Sequence, residues 1–192
     1  MESSAFVLVT GNPSKAREAE RILGYRPETR DVDLPEIQSL DLREVLRAKA
    51  EEAWSRLGRP IVVEETGLEL SAMNGFPGPL VKWMLEAVGP EGIARAAHGL
   101  GDPEVRAVCA LAYFDGRQYR VGEGVTAGTL VLEPRGEHGF GWDPVFVPED
   151  GGGLTYAELA PSEKDRLGHR GKAWRAFARM LSPGAAAGPS SP

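Results

Sequence analysis

The chain has 192 residues, 42% hydrophobic and 26% charged, which suits one folded domain with a sizeable core, and no apolar run reaches the roughly 18 to 20 residues of a membrane span. Its net charge of −6 argues against nucleic-acid or membrane-surface binding, which rests on a basic footprint, but leaves room for a small anionic ligand held by a few cations in one cleft. The single cysteine, Cys109, sits in the apolar run VRAVCALAYF; it permits no disulfide framework and makes the cytoplasm the expected compartment.

AFVLVT (5–10) reads as a short buried strand rather than a signal peptide. A helix follows, with Asn12 as N-cap, Pro13 at the first helical position and Gly24 as the stop. VDLPEIQSL is irregular or extended. Asp41 caps a second helix that ends at Gly58, with Glu44 three residues on as a capping box. PIVVEETGLEL gives a buried strand bearing two carboxylates, and NGFPGP a loop. PLVKWMLEAVG and PEGIARAAHGLG are two successive helices. VRAVCALAYF (105–114) and 117–133 are strands joined at Asp115-Gly116, a strong hairpin signal. EHGFGWDPVF (137–146) is a glycine-bent turn leading into a strand. Ser162 begins a helical turn, and KAWRAFARML is a closing amphipathic helix. The pattern predicts an α/β or α+β fold with a mixed sheet, as a single two-lobed domain over residues 1–182, and a disordered small-residue tail over 183–192.

Of the 22 basic residues 17 are Arg and five are Lys: Lys15, Lys49, Lys82, Lys164 and Lys172. Positions that keep lysine in so arginine-rich a chain are ones where a compact, flexible ammonium is needed. Lys15 falls in the first turn of the first helix, where the helix's positive end makes a cation mildly unfavourable and a bound anion would offset the cost. Lys49 falls on the apolar stripe of the second helix, with Leu42, Leu46, Ala53 and Leu57, so it either snorkels out or meets an anion. Glu64 and Glu65 should point to opposite faces of their strand. With Glu36 they offer carboxylates of the kind Mg²⁺ takes alongside substrate phosphates. His169 and Arg170, in a glycine-flanked turn, are donors suited to a carbonyl or phosphate oxygen. His98, His138 and His169 have no zinc-site spacing.

TGNPSK, LPE, VEETGL, FPGPLVKW, FGWDPVF, TYAEL and EKDRLGHRGKA occur in an order that resembles the inosine triphosphate pyrophosphatase family, the XTP/dITP diphosphatases, over about residues 5–181. That resemblance implies a nucleotide cleft between two lobes flanking an elongated mixed sheet, usually in a homodimer. It implies Mg²⁺-dependent hydrolysis of non-canonical purine nucleoside triphosphates (ITP, dITP, XTP) to monophosphate and pyrophosphate. Carried over residue by residue, it assigns Thr10, Asn12, Lys15, Lys49 and Lys82 to the triphosphate. Glu36 and Glu65 fall at the metal, with Glu65 also at the presumed base, and catalysis is assigned to Glu65 with Lys15. Phe140, Trp142, Asp143, Lys164, His169 and Arg170 fall at the base. Four of the five lysines thus land on matched positions. Two positions depart from the family pattern: Glu65 stands where an aspartate is usual, and Gly168 where a serine is usual. A non-catalytic nucleotide-binding module and a septum-inhibitor-like pyrophosphatase acting on modified pyrimidines are the alternatives.

Overall fold

A computed structural model describes residues 6–181, so the expected tail over 183–192 lies outside the described residues. The elements in chain order are β1 (Val7–Val9), α1 (Pro13–Leu23), β2 (Glu28–Arg30), α2 (Leu42–Leu57), β3 (Ile61–Leu70), β4 (Pro77–Gly78), α3 (Val81–Gly99), β5 (Glu104–Phe114), β6 (Tyr119–Leu130), β7 (Phe146–Pro148), α4 (Pro161–Leu167) and α5 (His169–Leu181). They build a mixed α/β fold around one seven-stranded sheet in the order β2-β1-β3-β5-β6-β7, with β4 pairing off β3. β1 runs parallel to β2 and β3, while β3, β5, β6 and β7 form an antiparallel meander.

Side-chain alternation along the strands sorts the core into layers. Val7 and Val9 of β1 join Ile61 and Val63 of β3 against Leu46, Ala50 and Ala53 of α2. Leu8 and Val62 face the other way, onto Ala19 of α1 and Trp174 and Phe177 of α5. A third cluster gathers Leu68, Leu70, Ile93, Phe146 and Tyr156 where α3 covers the far half of the sheet. β3 and its neighbour β5 contribute to all three clusters. The pairing of β3 with β1 stops at Val63, yet β3 continues to Leu70 against β5. Glu64 and Glu65 therefore lie in mid-strand, just past the carboxyl end of the parallel pair. By the same alternation Glu64 takes the α1/α5 face and Glu65 the α2 face.

Several local expectations hold for the reasons given. The Asn12 side chain accepts from the Ser14 and Lys15 amides, and Gly24 ends α1 in the left-handed conformation. Gly89, at φ 69°, breaks α3 just before Pro90, where two successive helices were expected. Others differ. β2, in the stretch ETR, has no hydrophobic signature and pairs with β1 as an edge strand. The capping box at α2 is relayed: the Asp41 amide donates to Ser39 Oγ, which donates to Glu44 Oε2 at 2.6 Å. The β5–β6 hairpin closes through four residues rather than a two-residue turn, because Asp115 Oδ1 accepts from the Arg117 and Gln118 amides.

α5 meets β6 backbone to backbone. A Cβ on Gly122 would lie 2.7 Å from the Phe177 nitrogen, and one on Gly124 would collide with the His169 carbonyl oxygen. Gly124→Ala is expected to lower stability by about 2 to 3 kcal/mol through overpacking. Urea unfolding of the variant against the parent chain checks it.

Candidate active site

The carboxyl end of β1 opens into a cleft. The β1–α1 loop supplies Thr10 and Asn12, and the Asn12 amide donates to Thr10 Oγ1 at 3.1 Å, which holds the loop before the cap. The Ser14 and Lys15 amides are taken by the Asn12 side chain and the Ala16 amide by the Asn12 carbonyl, so it is the Lys15 side chain that α1 presents to the cleft. Thr10, Asn12, Lys15, Glu36, Lys49, Glu64, Lys82 and Trp83 are among the residues lining a cavity of about 720 Å³. An adjoining cavity of about 260 Å³ shares Asn12, Lys15, Glu36, Lys49 and Lys82 with it and continues to Glu65, Thr66, Phe140, Trp142 and Arg170. Expected phosphate-side and base-side residues thus line one continuous space.

Each cleft lysine holds a carboxylate. Lys15 Nζ is 3.0 Å from Glu64 Oε1. Lys49 Nζ lies 2.5 Å from Glu65 Oε2 and 3.6 Å from Glu36 Oε1, and Lys82 Nζ is 3.3 Å from Glu36 Oε2. The cost of Lys15 at a helix's positive end is therefore offset inside the chain, by Glu64, before any ligand arrives. Lys49 resolves its place on the apolar stripe by meeting anions. Burial alone would lower its pKa, but the charges of Glu65 and then Glu36 outweigh it and raise the ammonium above its usual range. Glu36 moves oppositely: burial pushes it up, and Lys49 and Lys82 bring it below the usual carboxylate value.

Beneath the aromatic end lies a buried network. Arg170 Nε bridges both Glu64 oxygens at 3.1 and 3.0 Å, Arg170 Nη1 pairs with Glu18 Oε2, and Arg170 Nη2 reaches Thr66 Oγ1 at 3.4 Å. Glu18 Oε1 takes Lys164 Nζ at 2.8 Å, and Lys164 also reaches Asp143 Oδ2 at 2.7 Å. Charge alternates along the whole path: Lys15, Glu64, Arg170, Glu18, Lys164, Asp143. Asp143 Oδ2 also accepts from the Phe140 amide at 2.6 Å, so the carboxylate closes its own turn. Gly139 and Gly141, both at positive φ, allow that bend. The Phe140 ring lies 4.9 Å from Lys164 Nζ and 5.4 Å from Arg170 Cζ, within cation–π range.

Burial raises the Asp143 pKa, and the adjacent Lys164 only partly opposes it. Burial also pushes Glu64 up, but Arg170 and then Lys15 overcome it and hold the carboxyl well below the usual value. His169 is driven well below its ordinary pKa by burial and then by the charges of Arg170 and Lys164, so its imidazole is neutral. Its Nε2, like Trp142 Nε1, is buried without a hydrogen-bond partner.

Thr10, Asn12, Lys15, Glu36, Lys49, Glu65, Lys82, Phe140, Trp142 and Arg170 all line the cleft, while Asp143, Lys164 and His169 sit behind its wall. Glu18 and the structural part played by Glu64 were not expected from the sequence. Glu18 shares the buried face of α1 with Ala19 and lies four residues before Ile22. A carboxylate on an apolar stripe was the available signal, as it was for Lys49. Among the described residues no group of three or more His, Cys, Asp or Glu converges as a metal site.

A sequence profile described as the Ham1 family matches residues 6–180. The chain belongs to the Ham1 family. Among relatives, an inosine triphosphate pyrophosphatase 2 of Trypanosoma cruzi is 42% identical over 169 residues, covering 86% of each chain. A dITP/XTP pyrophosphatase of Methanopyrus kandleri is 39% identical, covering 90% of this chain and 93% of its own. A solved Ham1 protein of Coxiella burnetii superposes with a TM-score of 0.78 at 27% identity, over 92% of this chain and 97% of that one. The Ham1 membership and the mixed sheet agree with the family and the fold class expected from the sequence.

Glu64→Gln is expected to cost about 3 to 5 kcal/mol at neutral pH, because it leaves buried cationic groups undercompensated. The folded pKa of Glu64 is depressed, so its contribution is complete above its unfolded value near 4.5 and is lost as pH falls through the folded value. The stability gap between parent and variant should therefore close as pH drops below about 4.5. Chemical unfolding at stepped pH measures it.

Proposed function

We propose that this chain hydrolyses non-canonical purine nucleoside triphosphates (ITP, dITP and XTP) to the monophosphate and pyrophosphate. The observation that carries the reading is the convergence of Lys15, Lys49 and Lys82 with the capped start of α1 on a cleft that continues into an aromatic pocket. An extended polyanion with a flat head group matches that space, and the pyrophosphatase relatives support the chemistry.

In this reading the triphosphate replaces Glu64, Glu65 and Glu36 as partner of the three lysines. The freed Glu65 carboxylate can then take a proton from an attacking water. Phe140 stacks on the purine, which is worth about 1 to 3 kcal/mol per base. Asp143 and His169 lie behind the cleft wall, so the reading requires the base to displace the Phe140–Trp142 turn before Asp143 can accept from a ring N–H and His169 can join Arg170 in donating toward the 6-oxygen. Arg170 spends three of its N–H groups on Glu64, Glu18 and Thr66, and a guanidinium carries five. Adenine carries a 6-amino group and would leave donor against donor, a mismatch of about 1 to 3 kcal/mol.

Glu36 and Glu65 fit the Mg²⁺ that the resemblance implies. They are an all-oxygen pair already gathered on one cation, the Lys49 ammonium, and Mg²⁺ needs only one or two carboxylates besides substrate phosphates. Bound there, the ion would supply charge neutralisation and water polarisation. A homodimer, a cytoplasmic location and a single two-lobed domain complete the proposal.

Two experiments test it. With Mg²⁺ and a panel of triphosphates, pyrophosphate is expected as product, and kcat/KM for ITP should exceed that for ATP by about tenfold or more. Equal efficiency on both, or orthophosphate as product, would sink the reading, and no turnover would favour a binding module. Glu65→Gln should remove most turnover while calorimetry still detects nucleotide, and Glu65→Asp should stay within about tenfold of the parent. Near-normal turnover by Glu65→Gln would remove Glu65 from the mechanism.

A further inference from the structure

The TYAEL segment has no part in the cleft just described, yet it places its tyrosine against His169, behind the cleft wall. Tyr156 is fully buried and packs on Phe146, with ring centroids 4.6 Å apart. Its ring stacks on His169 at 5.8 Å and 20°, and Trp142 stacks on the histidine at 6.3 Å and 29°. His169 is thus tied into a run of three rings, which fixes the plane of its imidazole. What remains free is the tautomer, and one contact bears on it: the Tyr156 hydroxyl lies 3.5 Å from His169 Nδ1.

Three facts bear on the direction of that contact. Tyr156 is buried and its pKa is raised by that burial, so the hydroxyl keeps its proton and must aim it at an acceptor. The His169 imidazole is neutral, so one ring nitrogen is an acceptor and the other a donor. Thr126, the other hydroxyl near Tyr156, donates its own proton to the Leu167 carbonyl at 2.9 Å and keeps lone pairs, so Thr126 Oγ1 and His169 Nδ1 are the two acceptors open to the tyrosine proton. No side chain at position 168 contributes: an added Cβ would lie 2.5 Å from the Lys164 carbonyl oxygen and 3.5 Å from the tyrosine hydroxyl.

We infer that Tyr156 is a positioning residue for base selection: its hydroxyl donates to His169 Nδ1 and so keeps the proton on Nε2, the buried and unpartnered nitrogen, as a donor ready for a purine carbonyl. The inference rests on the proposed 6-oxopurine reading. It deepens that reading by naming the group that makes the histidine a donor rather than an acceptor. With the opposite tautomer Nε2 would present a lone pair, repel a 6-oxygen and welcome a 6-amino group.

Tyr156→Phe keeps the ring and its stacking and removes only the hydroxyl. Protein labelled with [¹⁵N]histidine reports the tautomer from two-bond ring correlations, with His169→Asn assigning the signal among the three histidines. The ligand-free parent is expected to show His169 protonated on Nε2, and Tyr156→Phe to populate the Nδ1–H form. In steady state, KM for ITP should rise about fivefold, the loss of one hydrogen bond, with kcat within about twofold and ATP turnover not reduced. A parent histidine protonated on Nδ1 would overturn the inference. So would a variant with the parent's tautomer, or one that loses ITP and ATP turnover equally. If the parent chain turns over no ITP, the proposed function fails, and the tautomer of the ligand-free protein still decides the part assigned to Tyr156.

Discussion

The structure depends on a buried alternation of charge. Lys15, Glu64, Arg170, Glu18, Lys164 and Asp143 run from the phosphate end of the cleft to the turn that carries Phe140. They come from α1, β3, α4, α5 and the loop before β7, so the path ties five segments of the chain together. Each charge is affordable in the interior only because its neighbours are present. Such a chain fixes which side chains face one another more strictly than hydrophobic packing does, since a slip of one residue would strand a charge.

The sheet explains why the two ends of the cleft meet. β3 is long enough to pair with β1 over its first residues and to continue past it against β5, with β4 across its far end. The space beyond the end of β1 is therefore walled on one side by a continuing strand, and α1, α2 and α3 arrive around it with Lys15, Lys49 and Lys82. The consecutive acids on β3 serve both faces of the sheet at once. Glu64 anchors the network under α1 and α5, and Glu65 holds Lys49 of α2. Adjacency in sequence becomes a division of labour because a strand sends neighbours to opposite sides.

Much of this was legible before the fold was known, where a local rule carries the information. Asn12 and Gly24 bound α1 by capping chemistry, and Lys49 declared itself by standing on an apolar stripe. The family could be read from motifs in order, and the profile match over residues 6–180 bears it out. What escaped was set by tertiary partners. β2 is a strand because β1 offers it an open edge, not because ETR favours extension. Glu18 shares the apolar face of α1, but its partners Lys164 and Arg170, about 150 residues away in the chain, are set only by the fold. The stacking of His169 between Trp142 and Tyr156 likewise joins three separate segments, and no spacing rule connects them.

The backbone contact of α5 with β6 at Gly122 and Gly124 bears on how such a protein can diverge. Where two backbones touch, there is no side-chain volume to trade, so the start of α5, with His169 and Arg170, is locked in place. The turn around Phe140 and Trp142 is held by one carboxylate and its glycines, and both rings lean on the locked floor, Phe140 over Lys164 and Arg170 and Trp142 on His169. New base preferences in descendants of this chain should therefore require those two rings to change in step with the charges and the histidine beneath them.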